Sequence, residues 1–134
     1  MQPQDAHILV IEDDPNNLMV VTEFLDILGV KAVYTAESGS EGLKQVASLS
    51  RIDLILLDIQ LPEEDGYMVL RHMRKEPKLR TTRVIAVTAN VLPQDEVRAR
   101  EAGFDGFIGK PLNFERFLAQ IEALLIGEAI WMPR

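Results

Sequence analysis

The chain has 134 residues, of which 47% are hydrophobic and 26% charged, a composition typical of one globular domain rather than of a disordered segment. Its formal net charge of −7 argues against non-specific binding to nucleic acid or to an anionic membrane, because both attract basic surfaces. The sequence has no cysteine, which excludes disulfides, zinc sites built on thiolates and cysteine catalysis.

Short apolar runs alternate along the chain with longer stretches whose apolar residues recur at helical spacing. Residues 7–11 form the first run and predict a buried strand. Asp14 and Pro15 follow as the cap and the first position of a helix, which Gly29 ends. Residues 31–36 predict a second strand, which is less apolar and therefore belongs nearer an edge of a sheet.

The middle of the chain repeats this order. Residues 38–49 predict a second helix, and residues 53–57 are the most strand-like run, ending at Asp58. The expected apolar face of the second helix comprises Leu43, Val46 and Ala47. A loop at residues 62–66 leads into a third helix that Asp65 caps. The apolar residues of the third helix are Met68, Val69, Leu70 and Met73.

Two further strand–helix pairs complete the pattern. Residues 83–87 predict the fourth strand, and residues 93–102 predict a short polar helix with Val97 as its large apolar anchor. Residues 104–108 predict the fifth strand. Asn113 caps the last helix, whose apolar residues are Phe117, Leu118, Ile121, Leu124 and Leu125.

Five strands that alternate with five helices predict an α/β fold, in which helices cover both faces of a parallel sheet. Right-handed crossovers make such a sheet open and doubly wound. In sheets of this kind ligands bind beyond the carboxyl ends of the strands. We therefore expect the chemistry of this protein at the residues that follow its strands.

Charged and hydroxyl side chains stand at the carboxyl ends of four strands. Glu12 and Asp13 follow the first strand, Asp58 the third, Thr88 the fourth and Lys110 the fifth. Because parallel strands bring their carboxyl ends to one edge of the sheet, we expect three carboxylates, a hydroxyl and an ammonium group in one pocket.

Three carboxylates in one pocket repel one another unless a cation neutralises them. Mg²⁺, or Mn²⁺ in its place, suits such a site, because it binds carboxylates, keeps several waters and bridges to phosphates. Lys110 can hold a phosphoryl oxygen, and Thr88 can donate a hydrogen bond to the same group. Asp58 ends the central strand, so it is the best-placed nucleophile for an aspartyl phosphate.

Four segments carry a further pattern: ILVIEDDP at 8–15, LILLDIQLPEEDG at 54–66, VTAN at 87–90 and GFIGKP at 106–111. In this order they resemble the receiver domain of bacterial two-component response regulators. The resemblance implies a single receiver domain over residues 1–134, with a core at about 7–126 and a C-terminal tail at 127–134. The implied fold is flavodoxin-like, with five parallel strands in the order 2-1-3-4-5.

The resemblance also implies roles for individual residues. Asp58 resembles the aspartate that accepts a phosphoryl group from a histidine of a sensor kinase or of a phosphotransfer protein. Asp13 and Asp58 resemble Mg²⁺ ligands, while Glu12 acts through water and the backbone carbonyl of Gln60 completes the protein ligands.

At the other strand ends, Thr88 and Lys110 correspond to the residues that contact the phosphoryl oxygens. Lys110 and Pro111 are expected to be joined by a cis peptide bond, which is essentially confined to proline. Phe107 stands at the aromatic switch position and acts with Thr88. The positions that tune the lifetime of the phosphoryl group are Gln60, Ala89 and Asn90.

The function implied is that of a phosphoacceptor module that controls the binding of a partner. Phosphorylation of Asp58 is expected to let the ring of Phe107 fill space vacated near the site. The response is expected on the output surface, which comprises the fourth helix, the fifth strand and the last helix. Arg98 and Arg100 are expected to lie exposed on it.

An aspartyl-phosphate phosphohydrolase is the alternative, because such enzymes also use a strand-terminal aspartate with Mg²⁺. They place a second aspartate two residues after the nucleophile, where this chain has Gln60. A flavin-binding module of the same topology is a third possibility, but the chain lacks a hydroxyl-rich phosphate loop after the first strand. We therefore expect a receiver that is not an enzyme, apart from its own phosphorylation and dephosphorylation.

The expected partners are a sensor histidine kinase or a histidine phosphotransfer protein, and an unidentified effector protein. Direct binding of nucleic acid is not expected, and neither is membrane insertion, because no apolar run approaches about 20 residues. The N-terminus lacks the basic and apolar regions of a signal peptide, so we expect a cytoplasmic protein. Trp131 is expected either to pack against the body of the domain or to lie exposed.

Overall fold

The computed structural model describes residues 1–61 and 64–131 of the chain. The expected loop residues Pro62 and Glu63 lie outside this range, as does the end of the expected tail at 132–134. Within the described ranges, none of the helices combines the length and the apolar character that crossing a bilayer requires.

Five parallel strands form one sheet in the order β2-β1-β3-β4-β5, which confirms the predicted fold class. The strands are β1 (His7–Ile11), β2 (Ala32–Ala36), β3 (Leu54–Asp58), β4 (Arg83–Thr88) and β5 (Gly106–Gly109). Every residue of β3 is buried, whereas β2 is mostly half-buried and lies at an edge. The prediction that the less apolar second strand lies near an edge of the sheet is thus confirmed.

Five helices connect and flank the strands: α1 (Pro15–Leu28), α2 (Gly39–Ser48), α3 (Gly66–Arg74), α4 (Pro93–Ala102) and α5 (Phe114–Leu125). Asp14, Asp65 and Asn113 cap α1, α3 and α5 as predicted, since their side chains accept hydrogen bonds from amides of the first turn. Gly29 and Gly103 end α1 and α4 with φ of 91° and 105°, a left-handed conformation that glycine adopts without strain. Two short 3-10 helices, Pro3–Asp5 and Pro77–Leu79, were not predicted.

Two apolar layers enclose the sheet. One contains Leu9 and Ile55 and packs beneath α2, α3 and α4. The other contains Ile8 and Leu56 and packs beneath α1 and α5. Neighbouring residues of one strand thus belong to opposite layers, as the two-residue period of a strand requires. The central strands are therefore apolar on both faces.

The buried faces of three helices differ from prediction. Ala47 of α2 and Met68 of α3 are exposed rather than on the apolar face. In α4, Val97 is 51% exposed, and the buried residue is Ala99. Residues that are two positions apart along an α-helix point about 200° apart around its axis. Val97 and Ala99 therefore cannot both face the core. Helix α4 therefore has a smaller apolar contact than the sequence suggests.

Strand β5 begins at Gly106 rather than at residue 104. Asp105 precedes it, and its carboxylate accepts a hydrogen bond from the amide of Val84 and pairs with Arg74. Phe104 packs edge-on against Tyr67, with 5.7 Å between ring centroids. Phe104 and Asp105 thus contact neighbouring elements just ahead of the first paired residue of β5, and the amide of Asp105 also donates to the carbonyl of Val84. Strand β1 has the predicted bounds, and those of β2, β3 and β4 differ from prediction by at most one residue at each end.

Candidate functional site

The carboxyl ends of β1, β3 and β5 bring Glu12, Asp58 and Lys110 together. Lys110 Nζ lies 2.6 Å from Glu12 Oε1 and 3.2 Å from Asp58 Oδ2. Glu12 and Asp58 are 4% and 5% exposed, so both ion pairs are shielded from water. The parallel registers of the sheet explain the convergence, because Ile11 lies opposite Leu57 and Thr88 opposite Gly109.

Three carboxylates form the acidic part of the site. Oxygen atoms of Glu12, Asp13 and Asp58 all lie within 4.8 Å of one another, and Asp13 is half-buried. Asp14 is not part of this group, since its carboxylate accepts hydrogen bonds from Asn16 and Asn17 at the start of α1. The cluster offers the oxygen ligands that Mg²⁺ prefers, and the partial exposure of Asp13 leaves access from solvent.

One oxygen of the cluster has no hydrogen-bond partner. Glu12 Oε2 is buried and accepts no hydrogen bond from any residue that the structure describes. Buried polar atoms are nearly always paired in native proteins. This oxygen, beside two further carboxylates, fits a site that holds a hydrated divalent cation.

Burial and the neighbouring charges together set the pKa values of the ion-paired groups. Burial, reinforced by the neighbouring Asp58 and opposed by Lys110, raises the pKa of Glu12 to about 7. Burial by itself lowers the pKa of Lys110, but its hydrogen bond to Glu12 and the negative charge of Asp58 outweigh this and raise the pKa above its usual value. Lys110 therefore supplies a permanent positive charge to the site.

Backbone contacts orient the groups at the ends of β3 and β4. The amide of Gln60 donates to Asp58 Oδ1 at 2.9 Å, and the amide of Asn90 donates to Thr88 Oγ1 at 3.1 Å. Thr88 is fully buried, and its hydroxyl hydrogen can still be donated to a further acceptor. Gln60, Ala89 and Asn90 are exposed and surround these groups on the solvent side.

The expected aromatic switch residue, Phe107, lies in the core of this structure. Phe107 is fully buried while Lys110 contacts Glu12 and Asp58. In this arrangement the ring has no exposed position from which to move inward. The peptide bond between Lys110 and Pro111 is cis.

Arg98 and Arg100 are exposed on α4 as expected, but each guanidinium also lies over an aromatic ring. Arg98 Cζ is 4.1 Å from the ring centroid of Tyr67, and Arg100 Cζ is 4.3 Å from that of Trp131. No local sequence pattern predicts these pairs, because each ring is remote from α4 along the chain. The sequence signal that points to such contacts is the presence of arginines on a helix with few apolar residues.

Comparison with known proteins identifies one family. The family model of the response regulator receiver domain matches residues 8–122. The polar-differentiation response regulator DivK of Brucella anthropi is 36% identical over 122 residues, which cover 91% of this chain and 97% of that protein. The match to the family model spans the carboxyl ends of all five strands.

Solved structures of receiver domains are also similar to this chain. The receiver domain of a signal transduction histidine kinase from Syntrophus aciditrophicus is 35% identical, with a TM-score of 0.78 and 91% of each chain covered. A CheY-like receiver domain protein from Methanospirillum hungatei is 30% identical, with a TM-score of 0.78, and the match covers 91% of this chain and 94% of that one.

Proposed function

Because the chain belongs to the response regulator receiver domain family, we propose that Asp58 is the residue of this phosphoacceptor module that becomes phosphorylated. The observation that carries the assignment is the position of Lys110, which contacts both Glu12 and Asp58. Asp58 is thereby a buried carboxylate beside a permanent positive charge and two further acids. A phosphohydrolase is not favoured, since Gln60 stands where such an enzyme has its second aspartate.

The chemistry at Asp58 is a phosphoryl transfer. A carboxylate oxygen of Asp58 forms a bond to phosphorus while the phosphorus–nitrogen bond to the donor histidine breaks, and the imidazole keeps that electron pair. The carboxylate's single negative charge becomes about two on the phosphorylated side chain. Lys110 is close enough to follow the added charge, and Thr88 can donate its hydroxyl hydrogen to a phosphoryl oxygen.

Asp13, Asp58 and the backbone carbonyl of Gln60 would hold Mg²⁺ or Mn²⁺, with Glu12 acting through water. A cation bound there supplies positive charge that offsets the carboxylates and the phosphoryl oxygens. The unpaired Glu12 Oε2 supports this assignment, because a metal-bound water would give that oxygen a donor.

The signal is proposed to leave the site through the output surface, which comprises α4, β5 and α5. Since Phe107 is already buried, the change would reach this surface by movement of the β5 backbone and of α4 rather than by burial of an exposed ring. Helix α4 suits this role because Ala99 is its only buried residue in the described structure. Receiver domains take their phosphoryl group from histidine kinases and act on effectors; for this chain we propose a sensor kinase or a histidine phosphotransfer protein as donor.

The lifetime of the phosphoryl group is proposed to depend on Gln60, Ala89 and Asn90. All three are exposed beside the buried acids and so border the path by which water reaches an acyl phosphate. The small side chain of Ala89 leaves that path open.

Phosphorylation can be tested with Mg²⁺ and a small phosphodonor such as acetyl phosphate. We expect intact-protein mass spectrometry to show a gain of one phosphoryl group that Asp58→Asn abolishes and that a chelator prevents. Catalytic release of phosphate from unrelated phosphate esters is not expected.

Asp65→Asn is a matched control, because asparagine caps a helix about as well as aspartate and the change in charge is the same. It should be phosphorylated like the wild type. Uptake that survives in Asp58→Asn, or that Asp65→Asn abolishes equally, would refute the assignment of Asp58.

A further inference from the structure

The segment after α5 returns to the sheet and lies along the outer edge of β5. Gly127 turns the chain with φ of 97°, and Arg83 of β4 donates a hydrogen bond of 2.7 Å to the carbonyl of Glu128. Further on, the amide of Phe107 donates to the carbonyl of Ile130 at 2.7 Å. Since β5 is the last strand of the sheet, this bond satisfies an edge amide that would otherwise face solvent.

Consecutive side chains of this segment pack on opposite faces of the sheet. Ile130 packs against the layer beneath α1 and α5, whereas Trp131 packs against the layer that contains Phe107. This alternation is the contact pattern of an added strand. We use the name strap for residues 127–131.

Gly106 makes room for the strap. A β-carbon added at this position would lie 2.9 Å from the carbonyl oxygen of Ile130 and 3.0 Å from Ile85 Cδ1. The first distance is shorter than real β-carbon contacts, so any side chain here would displace the strap or the strand. Gly106→Ala therefore perturbs the contact between β5 and the strap without a change of charge.

The strap also holds α4. The guanidinium of Arg100 lies over the ring of Trp131, with Cζ 4.3 Å from the ring centroid, and the face of an aromatic ring attracts a cation. Ala99 is the buried residue of α4, and the contact between Arg100 and Trp131 joins the exposed side of this helix to the strap. The strap thus connects to two elements of the output surface, β5 through Phe107 and α4 through Arg100.

We propose that the strap covers part of the output surface and stabilises the unphosphorylated arrangement of α4 and β5, and that phosphorylation of Asp58 releases it. This inference rests on the proposed function. The two effects are reciprocal: if the strap contacts favour the unphosphorylated arrangement, then a phosphorylation that favours the other arrangement weakens the strap contacts. The coupling free energy is the same in both directions. Arg100 of α4 contacts Trp131, and Phe107 of β5 bonds to Ile130. Movement of α4 relative to β5 therefore separates the two residues that hold the strap. An effector that docks on this surface must take the place of the strap.

The contact itself is tested in the full chain by amide hydrogen exchange and by the fluorescence of Trp131, the single tryptophan. In Gly106→Ala and in Arg100→Ala we expect exchange of the Phe107 amide to accelerate about tenfold, as for a segment that opens locally. The emission of Trp131 should shift to longer wavelength. Arg98→Ala removes the same charge from the same helix but touches Tyr67, so it should leave both signals unchanged.

The coupling is tested with beryllofluoride and Mg²⁺, a phosphoryl mimic whose binding is followed separately by fluorine NMR. When the mimic is bound, the wild type should show the same emission shift and faster Phe107 exchange, and Asp58→Asn should show neither. Unchanged exchange in both Gly106→Ala and Arg100→Ala would refute the strap. A mimic that binds without altering Trp131 or Phe107 would refute its release while leaving Asp58 as the phosphoacceptor. Failure of the mimic to bind, together with no phosphoryl uptake at Asp58, would refute the proposed function itself.

Discussion

At the scale of single residues, the charges of the site suit the binding of a cation but lower the stability of the folded chain when no cation is bound. Glu12, Asp13 and Asp58 face one ammonium group, that of Lys110, so the site without a cation has excess negative charge. Repulsion between like charges in a partly buried site destabilises the folded chain. Functional sites often carry such a cost, because a binding site needs groups that are not fully satisfied by the protein.

Asp13→Asn is therefore expected to stabilise the protein when no divalent cation is bound. The free energy of unfolding in a chelator should rise by about 0.5–1 kcal/mol, since one of three repelling charges is removed and Asp13 is only half-buried. Mg²⁺ should stabilise the wild type by mass action, and the variant much less. Urea unfolding with chelator and with Mg²⁺ measures both effects.

Asp14→Asn serves as the control for this change, because it alters the same charge one residue further on and keeps the cap of α1. It should retain the stabilisation by Mg²⁺. An equal response of Asp13→Asn and Asp14→Asn to Mg²⁺ would contradict the placement of the cation.

At the scale of elements, helix α2 depends on contacts from elsewhere in the chain. Helix α2 is held at its start by the carboxylate of Glu64, which accepts hydrogen bonds from Gly39 and Ser40. At its end, Lys78 Nζ donates to the carbonyls of Val46, Ala47 and Leu49 at 3.0–3.1 Å. Both contacts complement the partial charges of the helix ends. The segments that flank α3 thus fasten α2 at both ends.

Lys78→Met should loosen the end of α2. We expect a loss of about 1 kcal/mol in the free energy of unfolding, because three carbonyls exchange a charged donor for water at an exposed position. Amide exchange should accelerate in the last turn of α2. Lys44→Met, an exposed change on the same helix, should do neither. Equal effects of the two variants would show that Lys78 does not hold this end.

Helix α4 provides a test of which of its residues faces the core. Val97→Ala should cost less than about 0.5 kcal/mol of stability, because Val97 is 51% exposed. Ala99→Val should cost about 1–3 kcal/mol, because Ala99 is fully buried and a larger side chain overpacks that contact. Thermal or urea unfolding distinguishes them. The reverse order of costs would restore Val97 as the anchor.

At the scale of the whole molecule, one sheet carries two apolar layers that share every central strand. Ile55 and Leu56 are neighbours in β3 and are both at least 98% buried, yet they belong to opposite layers. A layer cannot lose its packing without disturbing the strand that supports the other layer. The described part of the chain is thus expected to unfold as one unit.

Ile55→Ala and Leu56→Ala should each destabilise the protein by about 2–5 kcal/mol, since each leaves a cavity in a packed layer. In both variants, thermal unfolding followed by far-UV circular dichroism and by calorimetry should show single transitions that coincide. Ile27→Ala, at a residue that is 64% exposed, should have little effect. Two separate transitions in either core variant would contradict a single folding unit.

The order of strands and helices, the caps at Asp14, Asp65 and Asn113, and the charged side chains at the strand ends were predictable from the sequence. Each depends on a local pattern: apolar periodicity, a capping residue or the residue that follows a strand. The meeting of Glu12 and Asp58 with Lys110 also followed, because parallel strands align their carboxyl ends whatever their distance along the chain.

The sequence by itself thus determined the fold class, the charged side chains that meet at the strand ends and the resemblance to a family. Only the tertiary structure decided that Ala99 rather than Val97 faces the core and that the strap lies on Phe107 and Arg100. These features depend on how far a helix rotates against the sheet and on which distant segments reach the same surface. Such quantities are set by packing between elements that are remote along the chain, and no local pattern specifies them.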